Sequence, residues 1–183
     1  SLSLEDGDQW DMSDNWTVDL WVKHDGIASL ENYIGQYEDA SNNWVFQHRS
    51  TGGTGLRFLF YSGGTYKINV SGGLITDNDW HHVVLARIKD GSNYYWGIYL
   101  DGVQTAYALD NDYDNFNGEL FIGSLNTAAY FNGNMDEVRI VKGNPYGILP
   151  KDDNSDALTV PTAPHTFDTN TALLAHMDGN DGD

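Results

Sequence analysis

The sequence predicts an all-β fold in which two antiparallel sheets pack face to face as a jelly-roll sandwich. Three observations support this prediction. Segments that alternate apolar and polar residues recur along the 183 residues, turn signals separate them about every eight to twelve residues, and no segment has a convincing helical period. One domain, 1–183, is expected because a chain of this length can bury a complete core.

The strongest segment is 80–101, which predicts two strands joined by a turn at Asp90-Gly91. Alternating β-branched and aromatic residues around an Asp-Gly turn are a strong hairpin signal. One face of the first strand carries Trp80, His82, Val84, Ala86 and Ile88. Since Val83 and Leu85 make the opposite face apolar as well, we expect this hairpin in the middle of a sheet, with chain packed on both faces.

The remaining predicted strands show the same alternation. In chain order they are 1–4, 15–23, 33–37, 43–49, 55–61, 66–70, 102–109, 119–123, 135–141 and 171–177. The spacing of Leu30, Tyr33, Ile34 and Tyr37 would also suit a helix. A strand is favoured there because Gly35 interrupts the run and strands dominate elsewhere.

Residues 144–170 show no strand pattern and contain all four prolines. They predict an irregular segment that returns along the surface, which we call the return segment. The last stretch, 171–183, predicts a terminal strand followed by an acidic end.

The amino-acid composition limits the classes of binding partner that are expected. Nine basic residues against 27 acidic ones give a net charge of -18, which disfavours nucleic acid and anionic membrane surfaces. The chain has no cysteine, so disulfides and thiolate metal sites are excluded. Membrane insertion is not expected, because no run approaches the roughly 20 apolar residues of a membrane span.

Several of these segments, in this order, resemble the laminin G-like group of concanavalin A-like jelly rolls. The resemblance is carried by residues 1–8, 15–23, 78–88, 99–104, 119–124 and 131–143. It implies two curved antiparallel sheets and an extracellular, cell-surface or virion-surface location, as in adhesins, phage fibres and secreted polysaccharide-active proteins.

The final segment departs from this pattern. In the family, a stretch like 171–183 normally opens a module, whereas here it closes the chain. Residues 172–177 could fill the missing first strand of their own sheet, begin a following repeat, or fill the slot of a neighbouring molecule. Something should occupy that slot, because an empty one would leave two sheet edges with unpaired backbone groups.

A structural calcium site follows from the resemblance, with Asp136 as the main ligand. Because Ca²⁺ takes six to eight oxygens, an Asp beside a carbonyl-rich loop is chemically suitable. The turn Asp178-Gly179 would lie nearby if the last strand pairs beside 135–141. The alternative is that Asp136 only ties down a loop by hydrogen bonds.

The acidic loop 110–117 sets Asp110, Asp112 and Asp114 two residues apart, as in the first half of an EF-hand loop. Its sixth and twelfth positions, Asn115 and Phe121, exclude that motif. A solvated loop, a second Ca²⁺ site and a sugar-contacting rim all remain open.

His81 and His82 lie on opposite faces of one strand, so they cannot bind a metal together. Packing in the core or a groove is expected for them.

Aromatic residues exceed what one core face needs. Sugars stack their CH faces on aromatic rings while polar side chains hold their hydroxyls. The candidate ligand-binding residues are Trp44, Tyr37, His48, Tyr95, Asp110, Asp112 and Asp114. The alternative is that the aromatics simply cover both sheet faces.

No catalytic motif is present. A glycosidase needs two carboxylates roughly 5–10 Å apart, and the hydrolases of this fold carry them as Glu-x-Asp-x-Glu on one strand, a run that is missing here. Asp136 and Glu137 are adjacent and should therefore point to opposite faces.

We predict a non-catalytic, lectin-like recognition module for a glycan or cell-surface polysaccharide. The alternative is a structural repeat or subunit of an extracellular fibre, tail or filament, in which residues 172–177 could be exchanged between copies.

Overall fold

Two six-stranded antiparallel sheets form the computed structural model, which describes residues 1–12, 14–27 and 29–177. The first sheet, called the open sheet, has the order β1-β10-β3-β4-β5-β6. Its strands are β1 (Leu2–Leu4), β10 (Glu119–Ile122), β3 (Glu31–Asp39), β4 (Asn42–Arg49), β5 (Gly55–Ser62) and β6 (Thr65–Gly72).

The second sheet, called the covered sheet, has the order β12-β11-β2-β7-β8-β9. Its strands are β12 (Thr171–Ala175), β11 (Gly133–Val141), β2 (Trp16–His24), β7 (Trp80–Asp90), β8 (Asn93–Leu100) and β9 (Val103–Leu109). The described residues include two single 3₁₀ turns, at Asp8–Trp10 and Thr51–Gly53. The predicted all-β sandwich is confirmed, and Glu31–Asp39 forms a strand where a helix was the alternative.

The core lies between the inner faces of the two sheets and is rich in aromatic rings. Trp16 of β2 meets Trp44 of β4 edge to face, with ring centroids 5.3 Å apart. Phe58 of β5 stacks on Trp96 of β8 at 4.9 Å. Since each pair joins one sheet to the other, aromatic contacts set the spacing of the sandwich.

The hairpin β7–β8 occupies the fourth and fifth positions of its sheet, as predicted. Its turn residue Gly91 has a φ of +59°, which suits the tight connection. On the outer face, a second buried cluster joins the hairpin to the return segment. Its members are Val84, Ala86, Ile88, Tyr99 and Ile148, with Tyr146 and Leu158 packed against them.

Gly97 lets the return segment approach the covered sheet closely. A Cβ at this position would lie 2.7 Å from Pro150 Cγ, closer than packed carbon atoms allow. Backbone hydrogen bonds also fix the segment, because Gln104 donates to Asp156 O at 3.1 Å and Leu158 donates to Gly102 O at 2.8 Å. The return segment, which was predicted to run along the surface, therefore packs as an ordered layer over the covered sheet.

The terminal strand β12 pairs antiparallel with β11 of its own chain, from Val138 opposite Ala175 to Val141 opposite Thr171. Of the three alternatives for residues 172–177, the structure has the first, closure within one chain. No helix among the described residues has the length and apolar character needed to cross a membrane.

Candidate functional site

The outer face of the open sheet carries a trough of about 410 Å³. It runs across β3, β4 and β5, and residues 125–129 border one end. Because the strands alternate, every second residue of each strand faces this trough while its neighbours enter the core. The composition of those outward residues decides what the trough can bind.

The floor of the trough is apolar and low. Gly35, Val45 and Leu59 face one another on adjacent strands. A Cβ on Gly35 would lie 2.5 Å from the Trp44 carbonyl oxygen and 2.8 Å from Leu125 Cδ1, so only glycine fits beneath Leu125. The result is an apolar strip in which Gly35 and Val45 are buried and Leu59 is half-buried.

One wall is aromatic and polar. Asn43 of β4 faces Tyr61 of β5, and the Tyr61 ring lies 4.8 Å from that of Tyr66 on β6. The Tyr61 hydroxyl donates to Gly64 O at 2.7 Å, which orients the ring. Tyr66 is 60% exposed, so this wall offers a solvent-accessible ring beside a side-chain amide.

The opposite wall consists of side-chain amides. Asn32 of β3 and Gln47 of β4 are cross-strand neighbours in this wall, and Arg57 of β5 lies outside the lining, opposite Gln47. Asn32 Nδ2 donates to Ala128 O at 3.2 Å, but its Oδ1 is buried without a hydrogen-bond partner among the described residues. An unsatisfied buried carbonyl is costly.

Of the predicted ligand-binding residues, Tyr37 lies nearest to the trough. It is a half-buried residue of β3 and the outward cross-strand neighbour of Asn43. Trp44 and His48 are 1% and 0% exposed and lie inside the core. The prediction that these two contact a ligand is wrong, because both belong to the inward-facing set of β4.

Tyr95 lies away from the trough, on the outer face of the covered sheet, where its ring is 6.3 Å from that of Tyr107. Asp110, Asp112 and Asp114 belong to the loop between β9 and β10. Asp110 Oδ1 accepts from the Asp112 amide at 2.8 Å, and Asp114 contacts the Ser62 hydroxyl. These hydrogen bonds tie the loop down, and the structure does not bring Tyr95 and the three aspartates to the trough.

Asp136 lies on β11, opposite Trp21 of β2, on the outer face of the covered sheet. Its Oδ1 accepts from the Glu137 amide at 2.8 Å and from the Met177 amide at 2.9 Å. It therefore links β11 to the residues just after β12. Asp178 and Gly179, the other predicted calcium ligands, lie outside the described residues.

Asp136 and Glu137 border the same groove, so the expectation that they point to opposite faces is wrong. The pairing of β2 with β11 shifts between Asp136 and Arg139, and Glu137 has a φ of +53°. Such a β-bulge inserts one residue and resets the alternation. The two-residue period of a strand therefore does not predict correctly which face each of these carboxylates occupies.

A buried ionic cluster on the covered sheet was not predicted. Arg139 Nη2 donates to Asp19 Oδ2 at 2.7 Å, the Tyr146 hydroxyl donates to the same oxygen at 3.1 Å, and His165 Nε2 lies 3.0 Å from Asp19 Oδ1. Burial raises the pKa of Asp19, but His165 and Arg139 outweigh it and hold this pKa below its ordinary value. The cluster fastens two residues of the return segment, Tyr146 and His165, to the sheet.

His82 packs beside this cluster against Trp21, with ring centroids 5.3 Å apart. Burial lowers the pKa of His82 to about 4, so the ring is neutral near pH 7. Packing is the role predicted for it.

A second unpredicted polar cluster lies inside the core. His24 Nδ1 is 2.7 Å from Glu31 Oε2, and His24 Nε2 is 2.8 Å from the Tyr33 hydroxyl. His48 Nε2 accepts from the Ile75 amide at 3.3 Å, and burial lowers the pKa of His48 to about 4. Since an amide N–H already points at that nitrogen, we assign this cluster a structural role rather than metal binding.

Comparison with known proteins agrees with this architecture. A family model described as the concanavalin A-like lectin/glucanases superfamily, Laminin_G_3, matches residues 1–144. Among curated protein sequences, no match was found.

Three solved structures share the fold. Domain 4 of AbnA, a GH43 extracellular arabinanase from Geobacillus stearothermophilus solved with arabinotriose, is 21% identical, with a TM-score of 0.61 over 77% of this chain and 66% of that one. A candidate carbohydrate-binding protein from Bacteroides ovatus is 21% identical, with a TM-score of 0.60 over 92% and 46%. Domains LG4-5 of the mouse laminin alpha1 chain are 14% identical, with a TM-score of 0.56 over 75% and 37%.

The matched regions amount to 66%, 46% and 37% of those three chains, so this chain corresponds to a part of each. At these identities the likeness concerns the fold. The family match extends over residues 1–144 of 183. The chain belongs to the concanavalin A-like lectin/glucanases superfamily.

Proposed function

We propose that the chain is a non-catalytic carbohydrate-binding module that recognises a glycan outside the cell, and that the trough on the open sheet is its binding site. The observation that carries this proposal is the arrangement of the trough. An apolar floor lies between one wall of tyrosines with an amide and another wall of side-chain amides.

This arrangement matches the chemistry of a sugar ring. The CH-rich face of a pyranose or furanose can rest on Val45 and Leu59 or against the Tyr61 and Tyr66 rings. Hydroxyl groups at the ring edge need donors and acceptors in one plane. The side-chain amides of Asn43 and Gln47, which line the trough, carry both.

The relatives support a glycan as the ligand class. The Geobacillus domain was solved with arabinotriose and belongs to an extracellular arabinanase. It is a separate domain of a larger enzyme, which is the context in which binding modules commonly occur. We extend from it only the ligand class and the extracellular setting.

A binding role is favoured over catalysis by the lining of the trough. A glycosidase needs an acid and a second carboxylate flanking the scissile bond. The described residues that line the trough include neither Asp nor Glu. Adhesion or anchoring to a polysaccharide follows from this composition more directly than hydrolysis.

The test is a glycan array followed by calorimetry with the tightest-binding oligosaccharide. We expect the wild type to bind, and Tyr61→Ala to weaken binding by about tenfold or more, the size typical of a lost central aromatic contact. Tyr95→Ala, a tyrosine on the other sheet, is the matched control and should leave affinity unchanged. Equal affinity in Tyr61→Ala and wild type would reject the trough as the site.

A structural Ca²⁺ ion beside Asp136 is a second proposal, which rests on the family resemblance. The described residues alone fit it poorly, because Oδ1 of Asp136 already accepts two backbone N–H groups. Among the described residues, two clusters bring together three side chains of metal-binding type: Asp19 with His82 and His165, and His24 with Glu31 and His48. Neither cluster includes Asp136. Thermal unfolding with Ca²⁺ and with EGTA, on wild type and Asp136→Ala, tests it: a calcium-dependent rise in the wild type alone supports the site, and superimposed curves reject it.

A further inference from the structure

A second groove, of about 550 Å³, lies on the covered sheet beside the return segment. We call it the tryptophan groove. Its lining consists of Trp21, Trp80, Asp136, Glu137 and residues 160–164. It lies on the opposite side of the sandwich from the trough, so nothing in the glycan proposal accounts for it.

Two indole rings form one side of the tryptophan groove. Trp21 on β2 packs against His82, which fixes its orientation. Trp80 begins β7 and is 43% exposed. A tryptophan so exposed at the mouth of a groove places a large π surface in contact with whatever enters it.

Two carboxylates form another part of the lining. The bulge in β11 brings Asp136 and Glu137 to one face. Glu137 is held in place because its Oε2 accepts from the His165 amide at 2.6 Å while Oε1 contacts His176. Asp136 is held by the two amides described above. These acceptors are therefore pre-positioned.

The remaining lining is mostly apolar, from Val160 to Pro164. Proline has no N–H, so Pro161 and Pro164 offer no backbone donor. Apart from the indole N–H groups and the Thr162 hydroxyl, the side chains offer π faces, apolar surface and anionic oxygens. That combination suits a cation with an apolar body better than a polyhydroxylated ring.

We propose that the tryptophan groove binds a small organic ammonium ion, of the quaternary or alkylated amine class. Aromatic faces attract such cations through the ring quadrupole, and tryptophan does so most strongly. The two carboxylates add direct charge complementarity, and the net charge of -18 attracts cations at longer range. Two basic groups nearby oppose binding: Lys23, exposed and opposite Trp80 on the neighbouring strand, and His176, which already contacts Glu137.

The test compares choline with dimethylbutanol, its uncharged carbon isostere, by calorimetry and by the indole N–H resonances of the labelled protein. We expect choline to bind and to shift two indole signals, and the isostere to bind at least about tenfold more weakly. Raised salt should weaken choline binding, since part of the attraction is electrostatic.

Two variants test whether choline binds in the tryptophan groove. Trp80→Ala removes an exposed ring without opening the core, and Asp136→Asn keeps the shape and an acceptor while removing the charge. Each should lower choline affinity by about tenfold, while Tyr130→Ala, an exposed aromatic outside the groove, should not. Equal affinity for choline and its isostere, undiminished binding in Trp80→Ala, or no choline binding at millimolar concentration would each overturn the proposal.

Discussion

The outer faces of the two sheets differ in what lies on them, although both belong to one sandwich. On the covered sheet, Ile148 of the return segment is buried against Val84 and Ile88, and Arg139 pairs with Asp19 beneath Tyr146. On the open sheet, the corresponding face leaves Asn43 and Tyr61 half-buried and Tyr66 exposed around a trough.

This difference separates stability from glycan recognition. A sheet face buried under another layer contributes apolar area and ion pairing to the folded state. A face left open to solvent contributes little of either, so its residues can be chosen for a ligand. Substitutions on the two faces should therefore affect different measurements.

Removing the buried carboxylate of the covered face should have the largest effect. Asp19→Ala leaves Arg139 buried without its partner, and we expect a loss of about 3–5 kcal/mol in the free energy of unfolding. Urea unfolding measures this loss. Arg57→Ala on the open face is the matched control, with an expected change within about 0.5 kcal/mol. If the two variants were equally stable, the covered face would not be a stabilising layer.

The apolar part of the covered face comes next. Ile148→Ala should cost about 2–4 kcal/mol, because Ile148 is 3% exposed and its removal leaves a cavity. Leu59→Ala on the open face should cost less than about 1.5 kcal/mol, since Leu59 is only half-buried. Unfolding midpoints of the pair check the difference, and a reversed order would contradict it.

Acid should destabilise the protein through its buried histidines. Folding lowers the pKa of His48 and His82 from 6.5 to about 4. The unfolded chain therefore binds more protons in that window. The stabilisation that depends on these two histidines being neutral is complete above the histidine pKa of the unfolded chain. It is lost as the pH falls toward about 4, with a slope of about 1.4 kcal/mol per pH unit for each histidine.

His82→Gln removes one titrating group, so the pH dependence of the unfolding free energy should become shallower between about pH 6.5 and pH 4.5. An unchanged slope in His82→Gln would mean that this ring is not kept neutral by burial.

The smallest effect on stability is expected in the trough. Tyr61→Ala and Tyr66→Ala should each change the free energy of unfolding by less than about 1 kcal/mol, because both rings contact solvent, and each should still weaken glycan binding. Urea unfolding together with calorimetry on the same samples checks both parts. A large loss of stability would mean that the open face is a packing surface.

The strands could be predicted because alternation and turn residues are local properties of the chain. Segments 15–23 and 43–49 correspond closely to β2 and β4, and Gly91 lies in the predicted hairpin turn. The covering of the central hairpin was also predictable, since both of its faces are apolar.

The binding face was harder to predict, because alternation defines two faces without saying which is inner. In β4, Trp44 and His48 suit a sugar site as well as a core, and the structure buries them. The polar set Asn43 and Gln47, on the other face of the same strand, was the available signal for the trough. Asn32, opposite Gln47, depends on strand pairing that the sequence does not state.

Two further features depend on contacts between distant segments. The bulge at Asp136–Arg139 turns one residue to the other face of the strand, and the apolar–polar alternation of the sequence does not reveal it. Asp19 and His165 meet only because the return segment crosses the covered sheet. Register and tertiary crossing thus account for most of what sequence reasoning missed.

The central claim is that the open face binds glycan while the covered face holds the fold together. The most direct measurement is resonance mapping of the labelled protein, titrated with the tightest-binding oligosaccharide from the array. We expect the largest shifts at Asn43, Leu59 and Tyr61, with the amides of the covered sheet unaffected. Shifts confined to the covered sheet or to the 110–117 loop, or an array on which no oligosaccharide binds, would contradict the claim.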